Sequence, residues 1–263
     1  MTDLSGGLRQ RFLSGEHLTG SFLKIAHTMP AEILGHLGFD FVVVDEEHAP
    51  IGRESTDHII LACKAAGLGC LVRVKSAGPA EILSVLDCGA DGVLVPHVDT
   101  PEKAAAIVAA ARYGAGARGY SSTTRAGAFG SVPMAEYIQT EDNRALVIAM
   151  IEEPDAVAGI DAIVATAGLD AVFIGRGDLT VAYGETKPGS DAVVAATQAI
   201  CKAARNARVA ISAMTSGPKD TLALANLGAT AFIVASDQTF LRDAAKARLA
   251  EVRAAFLQAG DAQ

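Results

Sequence analysis

The sequence predicts an α/β protein, a (β/α)₈ TIM barrel built by the whole chain, residues 1–263, as a single domain. Eight short apolar runs rich in β-branched residues alternate with Ala-rich, amphipathic stretches. Several runs are apolar throughout, as parallel strands covered on both faces must be. The length of 263 residues, half of them hydrophobic, also suits one barrel of about 250 residues. The rival is an open doubly wound sheet. It requires a Gly-rich turn after the first strand, and "KIAHTMPAEI" has none.

"SFLKIA" (21–26) is the first expected strand and "FDFVVVD" (39–45) the second; a Leu-Gly pair before the latter can end a helix. A helix is expected over 53–66, then "CLVRV" (70–74), a helix over 79–88 and "DGVLVP" (91–96). After a helix at 101–112 comes a break from 113 to 145 that does not read as a helix alone. Its Gly- and Ser/Thr-rich part, around 113–131, is long enough to be a working βα loop. "LVIAMIE" (146–152), a helix over 154–167 and "AVFIG" (171–175) continue the alternation. A helix over 190–207, "VAISAM" (209–214), a helix over 218–227 and "AFIVAS" (231–236) complete it. The last stretch, 237–260, reads as one long helix with an Arg/Lys-rich side, and packing on a neighbouring subunit or capping its own barrel are both open.

A net charge of −8 disfavours a nucleic-acid or anionic-membrane partner. A small anionic substrate stays possible, because a local Arg or metal overrules the global field. The opening "MTDLSGGLRQRFLSGEHL" lacks the apolar core of a signal peptide, and no run approaches the roughly 18 residues of a membrane helix. Cys63, Cys70, Cys88 and Cys201 show no CxxC spacing and read as reduced thiols, so a cytoplasmic location is expected.

A barrel gathers its active site at the C-terminal strand ends. There stand Asp45, Glu46, Glu47 and His48 after the second strand, Arg73 in the third and His97 after the fourth. Glu152 and Glu153 end the fifth, Arg176 and Asp178 follow the sixth, and His27, Thr215 and Asp237 follow the first, seventh and eighth. Each has a plainer reading: Glu152 and Asp178 as helix caps, Arg73 as a structural ion-pair partner, His48 as a loop residue, Asp87 as a helix-end polar group. Together they are more specific. Two carboxylates from adjacent strands suit a hard divalent cation that keeps several waters, and an oxygen-rich, His-poor set argues against structural zinc. A neighbouring Arg and His would then supply electrophilic and proton-transfer roles.

Read in order, "AEILGHLGFDFVVVDEEHAP", "LVRV", "LDCGADGVLVPHVDTPEKA", "ARGYSS", "MIE" and "FIGRGDLT" resemble the HpcH/HpaI family of metal-dependent (class II) pyruvate aldolases, from about residue 19 to 250. The resemblance implies a barrel of the pyruvate/phosphoenolpyruvate type, commonly a hexamer (a trimer of dimers) with the last helix exchanged between subunits. It implies reversible aldol cleavage of a 4-hydroxy-2-keto acid to pyruvate and an aldehyde, through a pyruvate enolate held on Mg²⁺, Mn²⁺ or Co²⁺. Glu152 and Asp178 then correspond to the metal ligands and Arg73 to the arginine at the ketone oxygen. His48 corresponds to the proton-transfer histidine, oriented by Asp45 and Asp87. The pyruvate carboxylate would meet Gly177, Asp178 and the loop serines Ser121 and Ser122.

The chain departs from the family pattern at Glu46, which replaces a glycine, at Arg176 in "GRGD", in the shortened "YGAGARG" and at His97. These departures concern the substrate tail, for which Arg176, His97 and Arg125 are the specificity candidates. Lys24 and Lys75 are the lysines near strand ends, and Lys24 falls inside the first expected strand, so a Schiff-base mechanism is not expected. A citrate-lyase-like or malyl-CoA-lyase-like enzyme would need a basic groove for CoA phosphates, with only Arg112, Arg118 and Arg125 available. A non-catalytic keto-acid-binding barrel would have lost a metal ligand.

Overall fold

Eight parallel strands close into a barrel in sequence order, each bonded to the next and the eighth to the first. They are β1 (Leu18–Leu23), β2 (Phe41–Asp45), β3 (Gly69–Arg73), β4 (Gly92–Val95), β5 (Leu146–Ile151), β6 (Ala171–Ile174), β7 (Ala210–Met214) and β8 (Ala231–Ser236). The computed structural model describes residues 7–114 and 116–260. Residues 1–6 of the opening stretch and Ala115 of the long loop lie outside the described residues, as do 261–263. The expected (β/α)₈ architecture is the observed one.

Side-chain alternation divides the core into two layers. Phe22, Val43, Leu71, Leu94, Ile148, Met150, Phe173 and Ile233 point into the barrel. Val42, Val44, Val72, Val93, Val147 and Val172 face the surrounding helices. The bottom is closed by a helix that the sequence reading did not anticipate, Gly7–Leu13, which inserts Leu8 and Phe12. The Phe12 ring meets that of Phe41 edge-on at 5.5 Å.

Three expectations are corrected. β1 spans Leu18–Leu23 rather than 21–26. The buried Asp237 carboxylate accepts the Lys24 and Ile25 N–H groups at 2.9 and 3.0 Å and so takes them out of the ladder. Lys24 therefore lies beyond the strand, at the barrel mouth, not inside it. The expected helix 154–167 is two short ones, Pro154–Ala158 and Ile160–Val164, parted at Gly159. The break at 113–145 is, as expected, not a helix alone: the long loop is followed by a regular helix, Met134–Arg144, anchored by buried Tyr137 and Glu141.

The last helix, Asp237–Gly260, is continuous as expected. It does not cap its own barrel along its length: every residue from Leu241 to Phe256 is exposed. Among the described residues, no helix is long and apolar enough to cross a membrane.

Candidate active site

The β2 and β3 ends carry the first half of the site. Asp45 and Arg73 are register partners across the two strands, and both are buried. Arg73 donates Nε to Asp45 Oδ1 at 3.0 Å and Nη2 to Oδ2 at 2.7 Å, a two-point pair. The backbone N–H groups of Glu47 and His48 also donate to Oδ1, which turns the chain sharply after β2. Burial pushes the Asp45 carboxyl up, but the Arg73 pair, the His48 N–H and Lys24 outweigh it and hold its pKa down at about 2. Arg73 is thus a fixed cation whose guanidinium lies 4.8 Å over the Phe22 ring.

The β5 and β6 ends carry the second half. Glu152 follows β5 and is 3 % exposed. Asp178 stands in the first turn of the helix Arg176–Ala182, which opens directly after β6 and Gly175. The two carboxylates are near enough for the Asp178 charge to act on Glu152. Burial raises the Glu152 carboxyl, a hydrogen bond from the His97 N–H opposes this, and the Asp178 charge adds to the rise, giving a pKa of about 7. Among the described residues, neither carboxylate has a Lys or Arg partner within ion-pair distance. Two acids without a Lys or Arg partner, one of them deeply buried and met by the His97 imidazole at 3.4 Å, fit a divalent cation whose other positions are filled by water or substrate.

His97 joins the halves. Its backbone adopts a left-handed conformation, φ 56°, unusual for a residue with a side chain. This aims its N–H at Glu152 Oε1, 2.7 Å away. The imidazole Nδ1 lies 2.8 Å from Glu153 Oε1 and its Nε2 lies 3.5 Å from Glu47 Oε1. Burial works against the charged ring, but Glu153, Glu152 and Glu47 together raise its pKa. Glu47 also approaches Arg73 Nη1 at 3.4 Å and His48 Nε2 at 3.5 Å, yet its buried Oε2 accepts no hydrogen bond. The sequence reading assigned Glu47 no role. Its place inside "DEEHAP", between two candidates, was the available signal.

A cavity of about 810 Å³ opens at this mouth, lined among others by Arg73, Gly175, Gly177, Asp178 and Lys24. Other sequence candidates fall differently. The Asp87 carboxylate accepts from Arg118 Nη2 at 3.0 Å, and His48, 56 % exposed, has Glu47 as its nearest acid. Ser121 and Ser122 lie in the long loop and do not line the mouth cavity of their own chain. Arg125 pairs with Asp57 at 2.7 Å on the wall of a separate surface cavity. Arg176 lines the mouth, but its guanidinium is committed to Asp220, at 2.9 and 2.6 Å, and to the Met214 carbonyl. Glu46 is buried and accepts the Thr56 hydroxyl, tying the loop after β2 to the helix Arg53–Ala65.

Acids and fixed cations gathered at the C-terminal mouth of a closed barrel define an enzyme of the (β/α)₈ class. The chain belongs to the HpcH/HpaI aldolase/citrate lyase family, whose model matches residues 18–244. It is similar to a hydroxypyruvate/pyruvate aldolase of Sagittula stellata, 32 % identical over 90 % of this chain and 94 % of the relative. It is 38 % identical to a 5-keto-4-deoxy-D-glucarate aldolase of Salmonella paratyphi A over 166 residues, 63 % of this chain and only 64 % of that protein's length. Among solved structures, the citrate synthase SbnG superposes with a TM-score of 0.87 at 30 % identity, covering 97 % of this chain and 99 % of the other. The family therefore spans more than one carbon–carbon bond chemistry.

Proposed function

We propose that the protein is a class II pyruvate aldolase, cleaving a 4-hydroxy-2-keto acid reversibly to pyruvate and an aldehyde with Mg²⁺, Mn²⁺ or Co²⁺ on Glu152 and Asp178. The observation that carries this reading is the pair of neighbouring carboxylates, Glu152 and Asp178, without a Lys or Arg partner, beside an arginine fixed on Asp45. A divalent cation held there would supply a Lewis acid at the keto-acid oxygens. The remaining work belongs to the chain. Arg73 cannot swing away, because Asp45 grips two of its nitrogens, and it meets the ketone oxygen where negative charge grows as the C3–C4 bond breaks. The N–H groups at Gly177 and Asp178, in the first turn of their helix, hold the keto-acid carboxylate.

His48 is exposed on the loop after β2, and the Asp45 contact to its backbone N–H fixes where the imidazole starts. It takes the proton of the C4 hydroxyl on cleavage and returns one to C3 of the product. Glu47, between His48 and His97, is the group that can stabilise a protonated imidazole. Asp87, paired with Arg118, and the loop serines Ser121 and Ser122 do not line the mouth cavity of their own chain, so their proposed contribution is to a neighbouring subunit's site in a homo-oligomer. The exposed apolar residues Leu241, Leu249, Val252 and Phe256 of the last helix support such an assembly, with a hexamer as the proposed state. A cytoplasmic location is proposed with it.

The test is an aldol screen with pyruvate and a panel of aldehydes, with and without Mn²⁺, read as pyruvate consumption. Metal-dependent consumption is expected with at least one aldehyde; none with any would remove the reading. Because Lys24 stands at the mouth, borohydride trapping with pyruvate is the second control, and a covalent adduct on Lys24 would replace the metal mechanism with a Schiff-base one.

A further inference from the structure

Three cations line the mouth cavity: Arg73, Arg176 and Lys24. Arg176 is neutralised by Asp220, and Arg73 is matched two-to-two by Asp45. Lys24 shares its acid, Asp45, with Arg73. Its Nζ lies 2.9 Å from Asp45 Oδ2, the oxygen that Arg73 Nη2 already occupies at 2.7 Å. With the N–H groups of Glu47 and His48, donors from four residues converge on one buried carboxylate. A carboxylate offers about four acceptor sites, and an ammonium carries three donors, so most of the donor capacity of Lys24 remains for something else. Glu47 reaches Arg73 Nη1 and forms no ion pair with Lys24.

The placement of Lys24 is built, not incidental. Asp237 clamps its backbone N–H, and one step past the Leu23–Val44 pair it comes level with Asp45 and hence with Arg73. The Phe22 ring lies beneath both cations, at 6.0 and 4.8 Å. On the β8 side the cavity continues over Ser236, Gln238 and Thr239, whose hydroxyl and amide groups add neutral donors. One ammonium flanked by neutral donors matches a singly charged carboxylate better than a doubly charged phosphate.

We propose that Lys24 is a specificity residue that binds a second carboxylate, at the far end of the keto-acid substrate. The inference rests on the keto-acid reading of the cavity and deepens it. The groups expected from the sequence to meet the tail were Arg176, His97 and Arg125; the structure commits Arg176 to Asp220, Arg125 to Asp57 and His97 to Glu153, whereas Lys24 only shares Asp45 with Arg73.

The probe pair is 2-oxoglutarate and 2-oxopentanoate, which share a five-carbon keto-acid skeleton and differ in the second carboxylate. Each is titrated calorimetrically into the full-length protein with Mn²⁺ present. A charge-assisted contact predicts that the wild type binds 2-oxoglutarate roughly tenfold or more tightly than 2-oxopentanoate. Lys24→Met should bring the ratio of the two dissociation constants close to one, and Lys24→Arg should restore most of it. Lys24→Gln repeats the measurement if the methionine variant does not fold. Equal affinities in the wild type, or a preference that survives loss of the ammonium, would overturn the proposal. A wild type that shows the preference but consumes no pyruvate with any aldehyde would sink the aldolase reading alone, leaving Lys24 as a carboxylate-binding residue.

Discussion

Glu152 lets the site be measured without a substrate. Its carboxyl titrates near 7 in the folded chain against an ordinary value of 4.5. Between those values the folded state holds more protons than the unfolded one. The stability that the group contributes is therefore full below about 4.5 and is lost as pH rises through 7, an effect on the order of 1–3 kcal/mol. The metal-free protein should accordingly show a lower Tm at pH 7.5 than at pH 5.5. Mn²⁺ should raise Tm more at pH 7.5, where the proton no longer competes for the ligand oxygen. Glu152→Gln should flatten both trends in the same thermal scans; a slope unchanged by that substitution would assign the titration to another group. Arg73 yields a kinetic counterpart. Arg73→Lys keeps the charge but not the planar fork on Asp45, so kcat should fall by about tenfold or more while the Mn²⁺ midpoint moves little, as steady-state titrations would show.

At the scale of elements, the strand-to-helix joins set the geometry. Gly175 separates β6 from the helix bearing Asp178, and a methyl group there would stand 2.5 Å from Glu152 Cβ and 3.0 Å from Met150 Cε. Gly175→Ala should therefore push Glu152 aside and cut kcat/KM by about tenfold or more, with little change in far-UV circular dichroism. Gly177, two residues on, has nothing within 4 Å of such a methyl, and Gly177→Ala should be far milder. Equal losses in the two variants would contradict the steric account. The β1 end depends on Asp237 in the same way. Removing its carboxylate in Asp237→Ala leaves the N–H groups of Lys24 and Ile25 without their acceptor, and a loss of roughly 2 kcal/mol or more in denaturant unfolding is expected.

The whole molecule separates a self-sufficient barrel from one element that the barrel does not use. The last helix packs through its first turn, where Asp237 and Phe240 meet β1 and the core, and then runs exposed from Leu241. Leu241, Leu249, Val252 and Phe256 recur at helical spacing, an apolar stripe without a partner in its own chain. A chain ending at Phe240 should keep the far-UV spectrum of the barrel but sediment as a smaller species than the full-length protein. Identical sedimentation of the two would remove this helix from the assembly.

The barrel was legible because parallel strands buried on both faces have to be apolar, and eight such runs leave little freedom in how they close. Glu152 and Asp178 were legible for a related reason: an acid that ends an apolar run stands out against it, and the strand order brings neighbouring ends to one rim. The partners of the cations were not legible. Arg176 finds Asp220 across 44 positions, Arg125 finds Asp57 across 68, and Lys24 leaves its strand because Asp237 lies 213 positions on. A charge is written locally in the chain, whereas the group that neutralises it is chosen by whichever strands and helices the fold brings within a few ångströms. The sequence by itself thus determined the barrel, the rim and the acids on it. Only the tertiary structure decided which cations remain available there, because that depends on contacts between residues far apart in the chain.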